Sequence, residues 1–288
     1  MGVITKRISE ARIWVENSRW FYDQNLDFLK KNITNRDFHG LSNIALSLEM
    51  LSSYYGRIGQ VRLADNHEGG WSNISLACAY RFISVQIRCE IYLRSIRAPD
   101  LCPLEIRNDI PDMGSLLAAS IAFEIPNMQA YMTQALVSII KADERLPTTY
   151  WRHRHFEPFI LWLSDQSLAD RDHNFGVYSQ IIAHWNSDEL SSEVIFNICD
   201  YHLLNMLDRG RKWQAEFTSP PFDLLPSEVV AIARVRENMG LRTADSNHEL
   251  LHTGFQLMKW DRSLLDGDPV IRDVSTFFEG VMSFPLAI

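Results

Sequence analysis

The chain has 288 residues, 46% of them apolar and 22% charged; these are the proportions of a folded globular protein and exclude disordered, collagen-like and low-complexity classes. Acidic residues outnumber basic ones, 36 to 28, for a net charge of −8, and no Lys/Arg-rich block occurs. Direct nucleic-acid binding, which needs clustered cations to neutralise phosphate, is therefore disfavoured, and a basic protein suits this balance better as a partner.

The opening run Met1-Gly2-Val3-Ile4-Thr5-Lys6-Arg7 lacks the apolar stretch of a secretory signal, and Lys6 stands where a myristoylation signal carries Ser or Thr. A cytoplasmic protein is expected. Ile8, Ala11, Val15, Trp20 and Leu26 with Phe28 and Leu29 then mark one long helix with a charged outer face. Leu41, Ile44, Ala45, Leu48, Leu51 and Tyr55 recur at helical spacing, as do Cys78, Phe82, Val85, Cys89, Tyr92 and Ile96. The turn Asn66-His67-Glu68-Gly69-Gly70 between them makes the pair an antiparallel hairpin. Cys78, Cys89 and Cys199 fall at apolar helical positions, Cys102 in a loop, and no C-x-x-C pair exists. Buried thiols are expected, without disulfides or a zinc ribbon.

Pro99, Pro103 and Pro111 interrupt the periodicity, and Pro111-Asp112 starts a helix through Phe123. The uncharged stretch Met113 to Phe123 is too short to cross a bilayer and runs into Glu124 and Pro126, so no membrane span is expected. Pro126 fits the first turn of a helix reaching about Arg145. The aromatic, basic and proline-punctuated stretch 146–158 is the best internal boundary, a lobe junction within one domain. Beyond it, 159–164, 177–185 and 194–207 read as helices, the last preceded by Asn186 and Glu189 at capping-box spacing. Pro226 opens another through Met239, closed by Gly240. No segment alternates as a strand does, and no 33- or 34-residue repeat of a familiar solenoid is found. The expected fold is all-α: an irregular array of stacked antiparallel helical hairpins.

The sharpest chemical motif is His248-Glu249-Leu250-Leu251-His252, which matches H-E-x-x-H. In a zinc hydrolase the two histidines bind the metal from one helical face and the glutamate activates its water. Asp261, Asp266, Asp268, Asp273 and Glu279 are the downstream acids that could complete such a site. The context opposes this use. Asp245, Ser246 and Asn247 read as capping residues, Thr253-Gly254 ends the segment after barely two turns, and no edge strand precedes it to hold a peptide. Serine-hydrolase, P-loop and dinucleotide signatures are absent, and no cofactor is expected.

The cluster Trp151-Arg152-His153-Arg154-His155-Phe156-Glu157 is read as a surface junction rather than an anion or metal site. His184 and His202 are read as hydrogen-bonded core residues. The eight tryptophans, Trp14, Trp20 and Trp71 among them, are read as core, with one or two available to anchor an interface. Asp165, Asp170 and Asp172 share one connection, and Asp188 with Glu189 precedes a later helix. Such acids solvate and cap helices, or form an edge that attracts a cationic partner and speeds its association.

The segment Pro221-Phe222-Asp223-Leu224-Leu225-Pro226-Ser227-Glu228-Val229-Val230-Ala231-Ile232-Ala233-Arg234, followed by Gly240-Leu241 and His248-Glu249-Leu250-Leu251, resembles the C-terminal part of an all-helical family of bacterial immunity proteins. Members of this group, immunity-protein family forty-nine, neutralise polymorphic or contact-delivered toxins. The family carries a proline-led helix with a glutamate near its start, and later a His/Asn-Pro-Leu-Leu element in which Glu249 here replaces the proline. The resemblance implies a cytoplasmic protein that binds a cognate toxin and occludes it, with an accidental H-E-x-x-H match. A zinc hydrolase using His248, Glu249 and His252, and a helical scaffold with many partners, are the alternatives.

Overall fold

The computed structural model describes residues 2–33, 38–97, 106–142, 154–166, 174–206 and 215–279. Among them eleven α-helices form, together with one ladder of two-residue strands, so the fold is all-α. The chain divides into two compact units, Met1–Asp109 with Lys259–Ile288, and Ile110–Met258. The division therefore falls outside 146–158. The described part of that stretch, 154–158, lies inside the second unit, where Phe156 and Pro158 are buried at the start of a helix.

The first unit contains α1 (Val3–Asn17), α2 (Arg19–Asn32), α3 (Phe38–Ala64), α4 (Gly70–Arg97) and, from the far end of the chain, α11 (Pro269–Glu279). The single long helix expected at the start is broken at Ser18, which leaves helical geometry with φ −114° and ψ 18°. Asn and Ser are weak helix formers because their side chains compete for backbone groups. Here the Asn17 amide donates to the Ile13 carbonyl, and the Ser18 carbonyl accepts from Phe21 N–H to restart the helix. The break lets Trp14 and Phe21 meet edge to face at 5.6 Å, beside Tyr54 of α3.

The α3–α4 pair forms the expected antiparallel hairpin, turned at Asn66 with φ +60°. Small residues let the two helices close. A Cβ on Gly59 would stand 2.7 Å from Ile74 Cδ1 and 2.9 Å from the Gly70 carbonyl. Ser52 and Ser84 each donate across the interface, to the carbonyls of Ala77 and Ala45, at 2.7 Å. Buried Arg81 pairs with Glu49 at 3.2 Å, and Glu49 also holds Arg88 at 2.6 Å. The helical-spacing residues Cys78, Phe82, Val85, Cys89 and Tyr92 are buried, and so is the opposite side of α4, through Leu76, Ala79, Tyr80, Ile83 and Ile87. Cys78, Cys89 and Cys199 are buried thiols, and burial pushes each well above its ordinary pKa. Cys102 lies outside the described residues.

α11 completes the first core with Val270, Val274, Phe277 and Phe278. Two acids fasten the approach to it. Asp261 accepts from Ser72 at 2.7 Å, and Asp268 accepts from the Tyr80 hydroxyl at 2.9 Å while capping α11 through Ile271 N–H. No described helix is long and apolar enough to cross a membrane.

The second unit contains α5 (Ile110–Ala122), α6 (Pro126–Ala142), α7 (Phe156–Ser164), α8 (Ser179–Ala183), α9 (Ser192–Asn205) and α10 (Ser227–Asn238), with β1 (Glu189–Leu190) and β2 (Arg242–Thr243). All thirteen residues of α5 are buried, and α6, α7 and α10 pack around it. Its small residues permit this: a Cβ on Gly114 would meet Glu157 Cγ of α7 at 2.8 Å. The helix α9 is capped not by Asn186 and Glu189 but by Ser191, whose hydroxyl accepts from Val194 N–H. Glu189 instead enters the parallel β1–β2 pairing, opposite Arg242, which local alternation in two-residue strands could not signal.

Replacing Gly59 by Val should force α3 and α4 apart and lower the unfolding free energy by about 2 kcal/mol, read from urea denaturation, because the atoms it meets include rigid backbone. A change below about 0.5 kcal/mol would mean that close helix approach does not limit this hairpin.

Candidate functional site

The functional geometry of the second unit is built outward from α10. Gly240 at φ +76° ends that helix, with Leu241 N–H donating back to the Arg236 carbonyl at 2.9 Å, so the chain reverses directly into β2. Arg236 is fully buried, and its guanidinium donates to the carbonyls of Trp185, Ser187 and Arg242, the last two at 2.7 Å. Burial lowers its pKa. With Arg242 N–H donating to the Asp188 carbonyl and Ala244 N–H to that of Leu190, both at 2.9 Å, these bonds seat Asp188 and Glu189 beside β2.

Next to this ladder lies a cleft of about 590 Å³, lined by Ile195 of α9, Val229, Val230, Ala233, Arg234 and Glu237 of α10, and residues of 243–256. Three of its lining residues carry buried polar atoms without a hydrogen-bonding partner among the described residues: Thr243 Oγ1, Ser246 Oγ and Gln256 Oε1. Such an atom costs about 1–3 kcal/mol unless water or a ligand serves it, and this cleft is open to both.

The H-E-x-x-H residues form no zincin helix. Glu249–His252 is a single 3₁₀ turn, and His248 is its N-cap, accepting from Leu250 N–H through Nδ1 at 3.1 Å. The other nitrogen of His248 lies 3.3 Å from Asp200 Oδ1, whereas His252 Nε2 lies 2.7 Å from Asn247 Oδ1. One imidazole is buried and the other exposed, and Glu249 faces solvent. The i, i+4 geometry that aims two imidazoles at one ion exists only in an α-helix. Among the described residues no group of three or more His, Cys, Asp or Glu is arranged to hold a metal; of the downstream acids, Asp261 and Asp268 are engaged by Ser72 and Tyr80.

Of the candidate binding acids, Asp188 and Glu189 are brought together and exposed, with Glu189 3.8 Å from Arg242. Asp165 is exposed at the C-terminus of α7; Asp170 and Asp172 lie outside the described residues. Sequence reasoning missed a second feature. Glu193, Phe196, Asp200 and Leu204 share one exposed face of α9, with Phe196 41% and Leu204 48% exposed. Their spacing of three, four and four residues was available, but Val194, Ile195, Ile198, Cys199, His202 and Leu203 satisfy the burial of this helix. Phe196 meets His248 edge to face at 4.8 Å. Trp20, read as core, is 65% exposed, whereas Trp71 is buried.

Beneath this surface runs a buried polar network. His202 is fully buried, as expected, with Nδ1 2.7 Å from Glu228 Oε1 and Nε2 3.2 Å from the Asp223 carbonyl. His184 is exposed instead, because it sits at the end of the short α8. From the Trp151–Glu157 cluster, Arg154 is buried and paired with Glu157, and His155 N–H donates to Glu216 at 3.1 Å; 151–153 lie outside the described residues. Glu216 also accepts from the Tyr201 hydroxyl at 2.7 Å. Burial first, and then the charge of Glu157, push its carboxyl up to about 7, against the opposing pull of Arg154. Burial works against a charged His202, yet Glu228 and the Asp223 carbonyl outweigh it and its pKa is raised.

No protein-family model, curated protein or solved structure matches the chain.

Both raised groups bind protons more tightly folded than unfolded, so their contribution to stability is whole at low pH and lost as pH rises. For Glu216 the loss begins above its ordinary value of 4.5 and is complete above about 7; for His202 it begins above 6.5. The urea midpoint of the second unit should therefore fall between about pH 5 and pH 8, and Glu216→Gln, which keeps an acceptor oxygen, should flatten that fall. An unchanged slope would assign it elsewhere. His248→Ala should cost about 1 kcal/mol through loss of the cap, and His252→Ala less than about 0.5 kcal/mol. An equimolar zinc-induced rise in melting temperature, abolished by both substitutions, would restore the metal reading.

Proposed function

We propose that this chain is a bacterial immunity protein that binds a basic protein toxin in the cytoplasm and blocks it by occlusion, performing no chemistry of its own. The observation that carries the reading is the exposed acid-and-apolar face of the second unit: Glu193, Phe196, Asp200 and Leu204 along α9, with Asp188 and Glu189 just ahead of it. An exposed aromatic flanked by carboxylates is the composition of a protein contact, in which the ring supplies buried area and the acids steer a cationic partner. Support also comes from the resemblance of Pro221 to Arg234 to the immunity family. Within that stretch Pro226 begins α10 and buried Glu228 joins it to His202. Those two residues are scaffold, which leaves the exposed face of α9 free to differ between toxins. The 3₁₀ geometry of 248–252 weighs against the hydrolase alternative.

Co-expression with the product of the neighbouring toxin gene should restore growth, and the two proteins should co-purify. Asp188→Lys combined with Glu193→Lys should then slow association by about tenfold or more at low salt, with the difference shrinking as salt rises. Equal association rates for the variant and the unaltered chain would remove the acidic face from recognition, and the failure of every neighbouring toxin to bind would remove the function.

A further inference from the structure

We propose that the cleft between α9, α10 and the 243–256 segment receives an arginine side chain, with flanking backbone, from the protein partner. The proposal rests on the partner-binding reading above and specifies what one part of that surface grips.

The chemistry of the walls selects the ligand. Ser246 is 8% exposed, and among the described residues its hydroxyl, Thr243 Oγ1 and Gln256 Oε1, which can only accept, have no hydrogen-bonding partner. The two hydroxyls accept as well as donate and the amide oxygen only accepts, so a ligand rich in hydrogen-bond donors can serve all three. The charge balance points the same way. Arg234 lies 3.4 Å from Glu237 and is matched by it, whereas Asp245, also on the lining, has no ion-pair partner among the described residues. The cleft therefore carries one uncompensated negative charge, which disfavours an anion and favours a cation.

Between the two cationic side chains, shape decides. A guanidinium offers five N–H groups in one plane and is more weakly hydrated than an ammonium, so it can serve an amide oxygen, a hydroxyl and a carboxylate together. Its trimethylene stem needs apolar contact, which Val229, Val230 and Ala233 provide. A volume of about 590 Å³ exceeds one side chain, so neighbouring residues of the same segment enter with it. The cleft and the acidic face draw on the same elements, since Ile195 precedes Phe196 on α9 and Thr243 follows Arg242 in β2.

The test uses the purified full-length chain and N-acetyl-arginine-amide, followed by NMR titration, with N-acetyl-citrulline-amide as the neutral isostere and N-acetyl-lysine-amide as the second cation. Saturable 1:1 binding with a Kd on the order of 1 mM is expected for the arginine probe, with citrulline about tenfold weaker or worse and lysine intermediate. Asp245→Asn should weaken the arginine probe by about tenfold, and Ala233→Trp, which fills the cleft, should abolish binding. Asp245 is exposed, so its variant keeps the test decisive should the Trp variant fail to fold. No saturation, or equal binding of citrulline, overturns the proposal. The probe binds without any toxin, so the absence of a protein partner would remove the functional reading and the source of the arginine while leaving the arginine affinity of the cleft measured. Undiminished toxin capture by a folded Ala233→Trp variant would do the reverse.

Discussion

A fully buried guanidinium carries the geometry of the second unit. Removing a cation from water costs several kcal/mol unless its donors are satisfied, and Arg236 is satisfied by three backbone carbonyls drawn from two separated segments. The carbonyls of Trp185 and Ser187 belong to irregular chain, and that of Arg242 to β2, so one side chain ties the loop ahead of β1 to the strand that pairs with it. Arg236 thus substitutes for the regular structure that the second unit lacks at this end. The two-residue strands, the exposed pair Asp188 and Glu189, and one wall of the cleft all follow from the position it imposes. The bonds formed by Arg154 with Glu157, by Glu216 with Tyr201 and by Glu228 with His202 repeat the device deeper inside, so irregular chain is held by charged hydrogen bonds where an apolar core alone would leave it loosely specified.

Helical periodicity was legible where one face of a helix had to be apolar. The α3–α4 hairpin, the starts of α6 and α10 at Pro126 and Pro226, and the Gly240 stop are all local matters of spacing, φ and missing N–H groups. Ser18 was not legible, since apolar residues continue at helical spacing through a break decided by side-chain competition at Asn17 and by packing against α3. The division of the chain was hidden for a different reason. Aromatic and proline residues at 154–158 can punctuate either a linker or a tightly packed helix start, and only tertiary burial separates the two.

The candidate site was legible in part. Asp188 and Glu189 were visible as acids, but their pairing with Arg242 depends on a contact across more than fifty residues of sequence, counting from Asp188 to β2. The H-E-x-x-H match shows the converse. Its five letters agree with a metal motif, yet a cap at His248 and a tight turn give its imidazoles separate partners. The exposed side of α9 escaped notice because a helix with enough apolar residues to bury one face says nothing of a Phe and a Leu left over on the other.

The first unit is assembled from two separated stretches of the chain, with Leu265, Val270, Val274, Phe277 and Phe278 filling a core whose other buried members lie before residue 110. During synthesis the second unit, continuous from 110 to 258, emerges whole and can close while the first is still waiting. Until α11 clears the ribosome, the earlier helices of the first unit display an oily seam that this later segment covers. The vulnerable moment for this polypeptide is therefore its own birth, since translation halted between Met258 and α11 would leave one unit finished and the other sticky.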